Sequence, residues 1–116
     1  MKKKRIAELY SFLSVASMKR MTDDEKIDFI RLLRQMKPIY VEMNDAVNDA
    51  IAKAKTELDD ESHLAEFVEK AVADLSEQEA NIDIKIMKRD AFERLHQSND
   101  WNFAQIDELE EALVIV

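Results

Sequence analysis

The 116-residue chain contains no glycine, where a typical sequence of its length would have about eight. That absence constrains the fold more than any motif does. Glycine supplies left-handed backbone angles and lets a main chain approach a phosphate closely. Nucleotide binding through a P-loop or a dinucleotide-binding turn is therefore excluded. Long helices joined by polar Asp, Asn and Ser turns are favoured instead. One proline, Pro38, is the sole strong interruption.

The apolar residues agree with that reading. Phe29, Leu33, Met36, Tyr40, Met43, Val47, Ala50 and Ala54 alternate spacings of four and three, the seam of a helix packed along its length. The seam keeps phase across Pro38, so the pattern predicts one long helix over about 23–56, bent at the proline. Leu32, Ile39 and Ala46 widen the stripe, as a helix facing a globular core requires. Thr22-Asp23-Asp24-Glu25 is a capping box that starts it. Asn44-Asp45-Ala46-Val47 and Asn48-Asp49-Ala50-Ile51 echo each other locally, with Asn and Asp on the wet face.

Before this helix, Ile6, Leu9, Leu13 and Ala16 predict an amphipathic helix over about 3–18, ending at Lys19-Arg20 beside the negative helix end. Met1-Lys2-Lys3-Lys4-Arg5 followed by apolar residues superficially resembles a secretion signal. Glu8, Ser11 and Ser14 interrupt that apolar stretch. After the turn at Asp59-Asp60-Glu61-Ser62, a third helix is expected over about 62–79, with Leu64, Phe67, Val68, Ala71, Val72 and Leu75 on one face. The short connection makes it the antiparallel neighbour of the long helix. Ile82-Asp83-Ile84-Lys85-Ile86 then alternates strictly, as a strand with one buried face does. A lone strand must find a partner for its backbone. Candidates are the tail Leu113–Val116, a foreign strand, or the same strand of a second copy, which would make a homodimer. Two short helices follow, about 90–97 behind Asp90 and about 103–113 behind Asn102, with Gln105 completing a second capping box. The expected fold is thus mainly α. An antiparallel hairpin containing the bent helix joins an N-terminal helix, two short C-terminal helices and a strand at about 82–86, in a single domain spanning 1–116.

Composition excludes several functions. A hydrophobic content of 47% can supply one core, yet no run of about 18 apolar residues spans a membrane. No cysteine is present, so disulfide or thiolate-metal chemistry gives no evidence of compartment in either direction, and a cytoplasmic location is the default expectation. Charge is uneven: residues 1–37 carry a net +5, residues 38–84 a net −10 and residues 85–116 a net −3. Such polarity can orient a partner or fold onto itself.

The chemistry-bearing residues do not assemble into a catalytic pattern. Glu93-x-x-His96 matches half of a carboxylate-bridged di-iron motif, and Asp60-x-x-His63 echoes it poorly. Two such motifs plus two carboxylates on long facing helices would be required. No metal or other cofactor is expected. Asp23-Asp24 and Asp59-Asp60 fit helix N-terminal charges better than an acid/base pair. No serine sits in a sharp elbow. Residues 90–113 could form a helix-turn-helix, but its second helix would carry Asp107, Glu108, Glu110 and Glu111 towards phosphates. Direct nucleic-acid binding is therefore not expected. Trp101 reads as a core cap or as an exposed anchor for a partner, and the six methionines as core filler.

Several stretches taken in order resemble known proteins. They are Leu32-Leu33-Arg34-Gln35-Met36-Lys37-Pro38 leading into an acidic helix, Glu77-Gln78-Glu79, Ile82–Ile86, Phe92, Leu95, and Ala104-Gln105-Ile106-Asp107-Glu108-Leu109. Together they are similar to small helical proteins encoded by bacteriophages and prophages. The resemblance implies an accessory or assembly role and brings no catalytic residue with it. The expected function is non-enzymatic protein–protein interaction or assembly, with Ile82, Ile84, Ile86 and Trp101 as the expected contact residues. The alternative is an acidic mimic of nucleic acid, in which the −10 stretch would capture a basic DNA-binding protein.

Overall fold

A computed structural model of the chain describes residues 1–58, 61–81 and 87–114. The fold is mainly α. Five helices follow in order: α1 (Lys3–Leu13), α2 (Asp23–Glu57), α3 (Leu64–Glu77), α4 (Arg89–Gln97) and α5 (Phe103–Leu113), with a 3-10 turn at Glu61–His63 before α3. The strand expected at Ile82–Ile86 lies outside the described residues. Among those described, strand-like pairing is confined to two isolated bridges, Lys2 with Glu79 and Met87 with Val114. No described helix is long and apolar enough to cross a membrane.

Contacts gather into two compact units. The first comprises Met1–Ser11 and Met36–Asn81, the second Phe12–Gln35 and Ile82–Val116. Helix α2 contributes its start to the second unit and its remainder to the first, and it runs unbroken through Pro38. Pro38 is exposed. The bond its missing N–H would have made to the Arg34 carbonyl thus falls on the wet side, where water can replace it. The seam read from the sequence is the packed side. Phe29, Leu32, Met36, Met43, Ala50 and Ala54 are buried, with Leu33, Tyr40 and Val47 partly covered.

In the first unit, α1 and the end of α3 are tied together by charge. Lys2 pairs with Glu77, and Lys3 Nζ reaches both Glu42 Oε1 at 2.6 Å and Gln78 Oε1 at 3.0 Å. The Lys3 N–H donates to the Gln78 carbonyl at 2.8 Å and the Ala80 N–H to the Met1 carbonyl at 3.0 Å. Because the end of α3 meets Glu42 through Lys3 while its start follows closely on Glu57, α3 runs antiparallel to the second part of α2. Basic residues of the 1–37 segment therefore fold onto acidic residues of the 38–84 segment. The Tyr10 and Tyr40 rings stack at 4.9 Å.

In the second unit, Leu13, Met21, Phe29, Leu32, Met87, Phe92, Leu95, Leu109, Leu113 and Val114 form the core. Helix α1 ends at Leu13, earlier than its apolar spacing predicts, and Lys19-Arg20 lie beyond it. The turn after Leu13 is held by side chains from another loop. The Ser17 N–H donates to Asn99 Oδ1 at 2.8 Å and its carbonyl accepts from Asn99 Nδ2 at 2.9 Å, while the Arg20 N–H donates to Ser98 Oγ at 2.9 Å. These bonds offer the backbone a partner that continuing the helix would forfeit. The same two side chains close α4: Ser98 Oγ donates to the Arg94 carbonyl and Asn99 Nδ2 to the Leu95 carbonyl. Helix α4 starts behind Lys88, so Asp90 sits in its first turn and is not its cap. Helix α5 starts from the expected Asn102–Gln105 capping box.

The described backbone contains no residue with positive φ. Helix ends that commonly use a left-handed glycine are here closed by extended residues, Gln78 and Val114, or by the Ser98 and Asn99 side chains. The glycine-free composition and the turn chemistry are the same fact seen twice.

Candidate functional site

Two concavities merit comparison, one in each unit. The cleft of the second unit holds about 310 Å³ over a floor of Met21, Phe29, Leu32 and Met87. Its rim carries Asp24, Glu25, Asp28, Asp90, Lys88 and Arg94. At its centre Glu25 Oε1 accepts from the Thr22 N–H at 2.9 Å and from Arg94 Nε at 2.7 Å, and Oε2 accepts from a second Arg94 nitrogen. The Glu25 N–H donates back to Thr22 Oγ1 at 3.2 Å, completing the capping box. The Arg94 hydrogen bonds, aided by Thr22 and opposed by partial burial, lower the Glu25 carboxyl from the ordinary 4.5 to about 2. Arg94 is raised in turn, chiefly by its bond to Glu25. A carboxylate with both oxygens engaged and so low a proton affinity suits a structural clamp, not proton transfer near neutrality. Asp24, Asp28 and Asp90 are exposed around it.

The groove of the first unit is larger and of another character. It encloses about 750 Å³ and is walled by three helices. Helix α1 supplies Lys4, Ala7, Glu8 and Ser11; α2 supplies Tyr40, Met43, Asn44, Val47 and Ile51. Helix α3 supplies two parallel rows at i, i+4 spacing, Leu64-Val68-Val72-Ser76 and Ala65-Glu69-Ala73-Glu77. The apolar face of α3 was legible from its spacing, but its coverage was not. Ser76 is the sole buried residue of the helix, its hydroxyl donating to the Val72 carbonyl at 2.8 Å. Leu64, Phe67, Val68, Val72 and Leu75 are all only partly covered.

The expected contact residues fare differently. Ile82, Ile84 and Ile86 lie outside the described residues, although the bridge between Met87 and Val114 brings their flank to the start of the tail. Trp101 is partly buried, its ring 5.3 Å from that of Phe12. Phe103 beside it is 84% exposed, as is Val15, and neither was singled out from the sequence. His96 lies against the Phe92 ring at 5.7 Å, and His63 Nδ1 is 3.9 Å from Glu66 Oε2. No three His, Asp or Glu side chains among the described residues are grouped to hold a metal ion. Compared with protein-family models, with curated proteins and with solved structures, the chain matches none.

Proposed function

We propose that this chain is a non-enzymatic interaction or assembly protein of the cytoplasm, of the kind encoded by phages and prophages, and that it docks a protein partner in the groove walled by α1, α2 and α3. One observation carries the reading: α3 has a full apolar face and no buried apolar side chain. Completing its burial would contribute about 25 cal/mol per Å² of apolar surface, a gain that a docked partner supplies. Helical grooves with rows at i, i+4 spacing accept amphipathic helices. The mimicry of nucleic acid has less to stand on, since Glu42 and Glu77 of the acidic stretch are taken up by Lys3 and Lys2.

The test places a photo-crosslinking residue at Ala73, which is exposed and lines the groove, and at Lys53, which is exposed and does not. Discrete protein adducts from position 73 alone are expected. Equal adducts from both positions, or none from either, overturn the reading.

A further inference from the structure

We infer that the groove takes the outward face of α2 from a second copy of this chain, an inference that rests on the groove being a docking surface. On the side of α2 opposite Phe29, Leu32 and Met36, Ile27 and Ile30 are 48% and 36% exposed. They lie one turn apart, with exposed Arg31 and Arg34 on the same face at i+4 and i+7 from Ile27. This is a short apolar ridge edged with guanidinium groups. The groove is its complement: apolar walls of Met43, Val47, Leu64, Val68 and Val72 interspersed with the small Ala65 and Ala73, with Glu8 and Glu69 also in the lining. From Ile27 to Arg34 a helix rises about 10 Å, and the α3 wall is about 20 Å long, so the ridge fits within it.

Charge argues for the same pairing. The ridge is edged by Arg31 and Arg34, and of the four charged residues that line the groove Glu8, Glu69 and Glu77 are acidic and Lys4 alone is basic. Arg31 already meets Asp28 at 3.7 Å, but both are exposed and such a pair contributes little, leaving the guanidinium able to serve a second carboxylate. Ridge and groove are different surfaces. Each contact seats one copy's ridge in another copy's groove, so copies pair reciprocally about a two-fold or add head to tail into a ring or an open chain. Two helical turns bury less than a standard interface, so association is weak and concentration-dependent.

Light scattering on the purified chain tests this. The mass should rise from 13.5 kDa to at least that of a dimer as concentration increases. Association should weaken roughly 10-fold between about 0.05 and 0.5 M salt, as expected of a charge-assisted contact. Ile30→Glu spoils the ridge and Ala73→Arg blocks the groove, both at exposed positions, and each variant alone should stay monomeric. Mixed, they keep one good ridge and one good groove between them and should stop at a pair of chains. Arg34→Glu and Glu69→Arg should each weaken association, and the doubly substituted chain should recover it. A wild-type monomer throughout, a mixture that stays monomeric, or a dimer indifferent to every variant overturns the inference. Crosslinking from position 73 to a foreign protein, with the wild-type chain monomeric, would sink self-docking while leaving the docking reading in place.

Discussion

Helices α3 and α4 each carry an apolar row, and the fates of the two rows differ. In α4, Phe92 and Leu95 are buried against a unit whose other core members are large: Phe29, Leu32, Leu109 and Leu113. In α3, Leu64, Val68 and Val72 stay partly open, although their unit buries Ile6, Leu9, Met36 and Met43 beside Ala50 and Ala54. The polar supports differ as well. The second unit is pinned by the Glu25–Arg94 clamp and by Asn99, whereas the first relies on exposed lysine pairs. An apolar row thus does not fix its own burial, which depends on the neighbours that reach it.

The largest test of that contrast pairs the same substitution in both helices. Leu95→Ala should cost roughly 2–5 kcal/mol, as for a fully buried leucine, and Leu64→Ala about 1 kcal/mol. Denaturant unfolding measures both, and equal losses would show that α3 is as enclosed as α4. The clamp comes next. Arg94→Ala should lower stability at neutral pH, through the lost charge-assisted bonds to Glu25. Its pH signature has a definite sign. Because Glu25 is held near 2 against an ordinary 4.5, its stabilisation is complete above 4.5 and disappears as pH falls towards 2. The variant should therefore show a shallower acid limb, and an unchanged limb would place the acid sensitivity elsewhere.

Smaller effects sharpen the comparison. Asn99→Ala removes bonds to Ser17 and Leu95 and should cost about 1–2 kcal/mol, with hydrogen exchange at Ser17 rising as the tie is lost. Protection at Ser17 equal to that of the wild type would deny Asn99 this role. Lys2→Ala, by contrast, should cost far less than Asn99→Ala, because its pair with Glu77 is exposed. A loss on the scale of the Asn99 variant would mean that the lysine pairs hold the first unit more firmly than exposed charge allows.

Much of the fold was legible because it depends on spacing and local bonding. The seam from Phe29 to Ala54 gave the packed face of α2, and Thr22–Glu25 and Asn102–Gln105 gave two helix starts whose bonds close within four residues. The end of α1 was misread by several residues. Apolar spacing continued to Ala16, but Ser17 and Arg20 bond to Asn99 and Ser98, partners remote in the chain. Asp90 was taken for a cap on residue type alone, and Lys88 precedes the helix instead. Of the candidate contact residues, Trp101 was marked for its type, yet its neighbour Phe103 is the more exposed.

What the amino-acid order determined by itself was helical class, the inward stripe of α2, turns built without left-handed residues, and the lack of any glycine cradle for phosphate. These follow from backbone sterics and from periodicity, which act within a few residues. What only the tertiary structure decided was coverage: that α4 closes into a core, that α3 keeps an open groove, and that Glu25 meets Arg94 far along the chain. Burial and ion pairing depend on which distant side chains arrive and how much space they fill, and no local pattern carries that information.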